Sequence, residues 1–161
     1  MFQAGADSAT QYLKTRGMNL KYDDASWHSD GDFPDDLPAE AGATHIGMFF
    51  AWLMLNGMGG NAMTGGLGEE IQLLAERAQT PGQFFLNCAD GKFVDDLLNQ
   101  EANAFTIDYY DFDNGNFLDD YEATVADDLS SLYYVKDTWQ NFDLLAPVLQ
   151  KRLLEWRSQQ V

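Results

Sequence analysis

The sequence predicts a mostly α-helical, single compact domain around a buried central helix at about residues 44–56, entered through an irregular acidic segment. Three observations carry that prediction. Ile46 to Leu55 is apolar on nearly every side except at Gly47, the pattern of a helix buried all round. Apolar stripes at helical spacing recur after it, and no two strong strand patterns face each other. The 161 residues are 45% hydrophobic and 14% aromatic, enough for one core and too apolar for a disordered acidic tail.

Residues 1–19 read as an N-terminal appendage, with Tyr12, Leu13 and Met18 favouring a short helix that Gly17 ends. Residues 20–161 form the domain. From 21 to 38, Gly31, Pro34, Pro38 and two Asp pairs predict irregular, turn-rich chain, pinned to the core by Tyr22, Trp27 and Phe33. The central helix runs from about 40 to 56 and stops at Gly57. Six glycines between 57 and 68 predict a flexible loop, and no GK[ST] follows them to make a phosphate cradle. Ile71, Leu74 and Ala78 space a helix behind Glu69 and Glu70, acids suited to a first turn. Thr80–Pro81 starts the next helix, and Asp90–Gly91 ends it.

Phe93, Val94, Leu97 and Leu98 read as a short amphipathic turn. Helix former residues predict helix over 102–110. Asp113–Asn114–Gly115 is a turn, and Phe117, Leu118, Tyr121 and Val125 form a helical stripe. Leu132 to Val135 reads as a strand-like connector. Asp137 is placed as the cap of a helix opening at Thr138 and Trp139. Pro147 argues against one long helix, so Asp143 is expected to cap a separate last helix over 144–158.

Acids outnumber bases 26 to 9, for a formal charge of −17. The excess sits in two places: residues 23–45 carry −7 and residues 90–143 carry −12. Such a field repels phosphate backbones and anionic headgroups, so neither nucleic acid nor a membrane is an expected partner. It attracts basic proteins and divalent cations. A lone Cys88 excludes an internal disulfide, no signal peptide is read at the start, and the 46–55 run is too short to span a bilayer. The expected location is cytoplasmic.

A pattern threads the chain: KYDDASWH, GDFP, DLP and THIGMFFAW by residue 52, then DGKF, NAF, DYY, SLY, DTW, LAP and a terminal EW. It resembles an uncharacterised bacterial domain family across roughly residues 20–157, leaving residues 1–19 outside. The resemblance implies no activity and transfers no catalytic role. Small acidic proteins of this sort are often encoded beside secreted toxins as immunity proteins.

Two functions follow as expectations. The first is a non-catalytic, cofactor-free inhibitor of a basic toxin, its contacts drawn from Asp95, Asp96, Asp111, Asp113, Asp119, Asp120, Asp127 and Asp128, with Tyr109, Tyr110, Phe112 and Phe117 as aromatic anchors. The alternative is a metal-dependent hydrolase at Asp23, Asp24, His28 and His45, oxygen and imidazole donors suited to zinc, manganese or iron. Against it, sixteen residues separate the histidines and no HExxH pair is present. Asp111, Asp113, Asp119 and Glu122 approach an EF-hand spacing, but Gly115 stands at position 5 where the loop needs glycine at 6. No serine sits in a nucleophile elbow, and Cys88 beside Phe84 and Phe85 reads as a core thiol.

Overall fold

The chain order and packing come from a computed structural model that describes residues 20–29 and 33–160. The expected N-terminal appendage lies outside those residues. The protein is mostly α-helical, as predicted, with one small sheet. The central helix α1, Thr44–Leu55, is buried at every residue but the last. A 3-10 turn, Ala39–Ala43, feeds straight into it, since Thr44 is already helical. Hence the predicted start at residue 40 is a tighter turn of the same run.

Helix α1 holds the core because its rings point in several directions. Phe49 meets Trp52, Phe93, Phe105, Tyr109, Tyr110 and Phe117 at centroid distances of 5.1–6.2 Å. Phe50 meets Phe84, Phe85 and Phe93 on another side. Aromatic contacts of this kind add to the large area each ring buries. Helix α1 packs most extensively on α4, described below, and Gly47 permits the approach. A Cβ there would stand 2.8 Å from Gly82 Cα and 2.9 Å from the Pro81 carbonyl oxygen.

The glycine-rich stretch after α1 is not loop throughout. It contains a short helix, α2 (Asn61–Gly66), and Gly59 bridges to Leu98. Helix α3 (Gly68–Ala75) carries the predicted acids in its first turn. Helix α4 (Pro81–Ala89) opens on a full capping box, Thr80 with Gln83, and closes on Asp90 in the left-handed region. Helix α5 (Gln100–Tyr109) is capped by Asn99, and α6 (Phe117–Val125) follows the acidic turn.

Further expectations are corrected, the first being Trp27, which is exposed rather than pinned to the core. Lys21–Asp24 (β1) and Lys92–Val94 (β2) pair as an antiparallel ladder with Asp23 opposite Phe93 and a bulge between Lys21 and Asp23. Short strands bearing acids carry little strand propensity, so pattern alone misses them. Leu132–Tyr134 is a 3-10 turn, not a strand. The last helix, α7, is continuous over Trp139–Ser158 with Pro147 inside it. Pro147 and Asp143 both lie on the exposed face, where a carbonyl left without a helical partner costs least. Finally, Thr138 caps α7, while Asp137 accepts from Gly82 N at 2.9 Å and so ties the α7 entry to the start of α4.

The Gly47 contact generates a prediction. Gly47→Ala will destabilise by about 1–3 kcal/mol, the range for overpacking. Gly65→Ala, in α2 with nothing within 4 Å of its added Cβ, will be neutral or stabilise by up to about 1 kcal/mol. Paired urea melts give both signs.

Candidate functional site

Sequence-distant groups meet at the N-terminal end of α1. Asp23 is drawn inward from β1 and is fully buried. The next four residues, Ala25–His28, form a 3-10 turn because Asp24 caps it, accepting from Ser26 N at 2.9 Å and Ser26 Oγ at 2.8 Å. That turn ends on His28. The Ala39–Ala43 turn packs over it, and Gly42 makes room: a Cβ there would lie 3.1 Å from the Ala25 carbonyl oxygen and 3.1 Å from His28 Cβ. His45 is in the first turn of α1, one turn before Phe49, so it faces the same aromatic cluster.

The Asp23 carboxylate is the centre of the arrangement. Its Oδ1 accepts from His28 Nε2 at 2.6 Å and from Asp24 N at 2.8 Å. Its Oδ2 accepts from the Tyr110 hydroxyl at 2.7 Å. His45 Nε2 stands 3.4 Å from the same Oδ2, close to it but outside hydrogen-bond geometry. The other His28 nitrogen, Nδ1, lies 2.6 Å from the Tyr133 hydroxyl. With Nε2–H donating to Asp23, Nδ1 accepts from Tyr133. The imidazoles of His28 and His45 meet edge to face at 4.5 Å. Both ring nitrogens of His45, and the Tyr121 hydroxyl near it, are buried without a hydrogen-bond partner among the described residues.

Burial alone would push the Asp23 carboxyl up. The hydrogen bond from His28 and the nearness of His45 outweigh that and hold it well below the usual carboxylate range, so it is ionised. Burial pushes His45 down, against the attraction of Asp23, so this imidazole is neutral. The Tyr110 and Tyr133 hydroxyls are raised by burial and by the Asp23 charge, which keeps both protonated as donors.

Chemically, the cluster offers a hydroxyl–imidazole–carboxylate chain from Tyr133 through His28 to Asp23, the order of a proton relay. It also offers three metal-ligand atoms, one each from Asp23, His28 and His45, all within 4.8 Å of one another. Asp24 does not join them. Its side chain is spent on the turn and on Lys21, whose Nζ is 2.9 Å away. Tyr110 lies 87 residues from Asp23, and no local signal in the sequence could have joined the two.

The acidic face is narrower than the sequence suggests. Tyr109, Tyr110 and Phe117 are buried core residues, and Asp95 is buried as well. Asp120 is committed to Arg152, at 2.8 and 2.9 Å, and to the Tyr109 hydroxyl at 2.7 Å. Asp96, Asp111, Asp113, Asp119, Asp127 and Asp128 are exposed. Phe112 is 45% exposed between Asp111 and Asp113. The near-EF-hand spacing builds no calcium loop: Asp111 instead accepts from Asp113 N at 3.1 Å and Asn114 Nδ2 at 3.2 Å, a side-chain turn. Cys88 is half-buried against the core rather than within it, and burial pushes its thiol up to about 11, which suits an unreactive thiol. A cavity of about 610 Å³ beside the start of α5 has one acid, Glu101, already 2.7 Å from Arg157.

Residues 21–135 match the family described as a domain of unknown function (DUF7832), and the chain belongs to that family. The matched span holds Asp23, His28, His45, Tyr110 and Tyr133, and it stops before α7, short of the DTW, LAP and EW motifs. No curated protein and no solved structure matches.

Removing one donor from the Asp23 carboxylate tests its place. Tyr110→Phe will cost about 1–3 kcal/mol, because it leaves a buried charge one hydrogen bond short. Thr106→Val, which removes a buried hydroxyl without a partner among the described residues, will cost less than about 1 kcal/mol. Thermal or urea unfolding of the two variants compares them directly.

Proposed function

We propose that this protein is a non-catalytic acidic inhibitor, an immunity protein that binds and neutralises a basic toxin. The observation that supports the reading is the loop Asp111–Phe112–Asp113, an exposed ring held between two exposed aspartates. Aromatic anchors dominate interface energy, and flanking acids steer a basic partner towards them. Asp119, Asp127 and Asp128 extend the charge.

The ion-pair pattern supports it further. Lys21, Arg77, Lys92, Lys151, Arg152 and Arg157 each sit within 4.0 Å of an acid. No ion pair among the described residues reaches Asp111, Asp113, Asp119, Asp127 or Asp128. Those six cations are paired within the chain, and these aspartates keep their field. A nuclease is the toxin class that fits, because it must show phosphates a basic cleft for which an acidic surface can compete. No helix among the described residues is long and apolar enough to cross a membrane, in keeping with the cytoplasmic location proposed for such an inhibitor.

The convergence of Asp23, His28 and His45 favours a second reading, the metal-dependent hydrolase. A catalytic metal keeps an open position towards substrate. Here Asp23 and His45 are buried and the His28 side chain is 14% exposed, which suits a closed site better.

A pull-down from the native organism at low salt, with the product of the adjacent gene as first candidate, tests the proposal. A stoichiometric basic protein is expected, with an association rate that falls steeply with salt. Reversing Asp111 and Asp113 to Lys together will weaken it by about tenfold or more, and Phe112→Ala will cost about 1–2 kcal/mol of binding. Capture of no basic partner, or an affinity indifferent to the double reversal, contradicts the reading.

A further inference from the structure

We propose that Asp23, His28 and His45 bind one divalent transition-metal ion, with zinc as first candidate, in a buried structural site whose fourth position is filled by one water. The ion would fasten β1 and its following turn to the start of α1. This goes beyond the inhibitor reading and involves none of the acidic-loop residues, so either can fail without the other.

Three features carry it. The donor set is one carboxylate oxygen and two imidazole nitrogens, all within 4.8 Å, a combination suited to zinc, iron or manganese rather than to calcium. His45 is buried with both nitrogens unpartnered among the described residues, although buried polar atoms nearly always find a partner. Its Nε2 already faces Asp23 Oδ2 at 3.4 Å. Lastly, the ligands have supports of the kind metal sites use. Tyr110 holds Asp23 at 2.7 Å, and Tyr133 holds His28 through the nitrogen not offered to the metal, at 2.6 Å.

When the ion binds, the proton leaves His28 Nε2, which takes the ion, and Nδ1 becomes the protonated nitrogen. Nδ1–H then donates to the Tyr133 oxygen, reversing the present bond. The partly exposed edge of His28 is the entry path.

The test is cobalt(II) titration of the full chain, freed of metal by chelator, followed by visible absorption, calorimetry and melting temperature. One equivalent is expected to bind with an intense four-coordinate band and a raised Tm, and zinc is expected to displace it. His28→Ala, at the partly exposed position, will abolish the band, and Tyr133→Phe will weaken uptake by about tenfold while leaving one equivalent. Cys88→Ser will leave the spectrum unchanged, excluding a thiolate ligand. If His28→Ala does not fold, wild-type protein decides through the hyperfine-shifted imidazole N–H resonances of the cobalt form: two support the site, none overturns it. No uptake, uptake without a Tm rise, or a band unchanged in His28→Ala shows that the orphaned nitrogens are served by buried water alone and refutes the proposal.

Discussion

A carboxylate removed from water is tolerated only where donors replace its hydration, and Asp23 is such a carboxylate. Its two oxygens collect the adjacent Asp24 amide, the His28 imidazole from the following turn and the Tyr110 phenol from 87 residues away. Each donor fixes an element. Through His28 it fixes the turn after β1, and through Tyr110 it fixes the end of α5. Through the approach of His45 it reaches the first turn of α1. The apolar core of Phe49 and Phe50 supplies most of the burial. The carboxylate specifies how the N-terminal segment closes over that core.

Charge is divided between two roles. Inside, one ionised acid is surrounded by phenols that stay protonated, raised by burial and by its charge, and by two imidazoles. Outside, Lys21, Arg77, Lys92, Lys151, Arg152 and Arg157 pair with acids, while the loop around Phe112 keeps its aspartates free of ion pairs among the described residues. The two regions touch at one place, where the Phe112 ring lies 6.4 Å from His28 and 5.8 Å from Tyr110.

Much of the fold was legible in the sequence because it is written locally. The all-round apolar run marks α1, Thr80–Pro81 marks the start of α4, and Asp113–Asn114–Gly115 marks a turn. The misses have local causes too. A two-strand ladder of KYDD and KFV has no alternating pattern long enough to see. Pro147 survives inside α7 because its missing hydrogen bond falls on the wet side. Asp137 has a cap's chemistry but spends it on another helix. The site was legible by residue type: Asp23, His28 and His45 stood out as ligand-capable, and Asp24 beside them proved to be a turn cap. Tyr110 and Tyr133 stayed hidden as partners, since contacts across 87 and 105 residues leave no spacing to read. Tyr109 and Phe117 looked like surface anchors because acids surround them in sequence, yet helical geometry turns them inward.

The central claim is that the Asp23 carboxylate couples the N-terminal strand to the helices it touches. A double-mutant cycle between Asp23→Asn and Tyr110→Phe, read by urea unfolding, measures that coupling most directly. The account predicts an interaction energy of about 1 kcal/mol or more, as for residues sharing one buried network. Additive effects, within about 0.5 kcal/mol, would contradict it and reduce Asp23 to one buried acid among many.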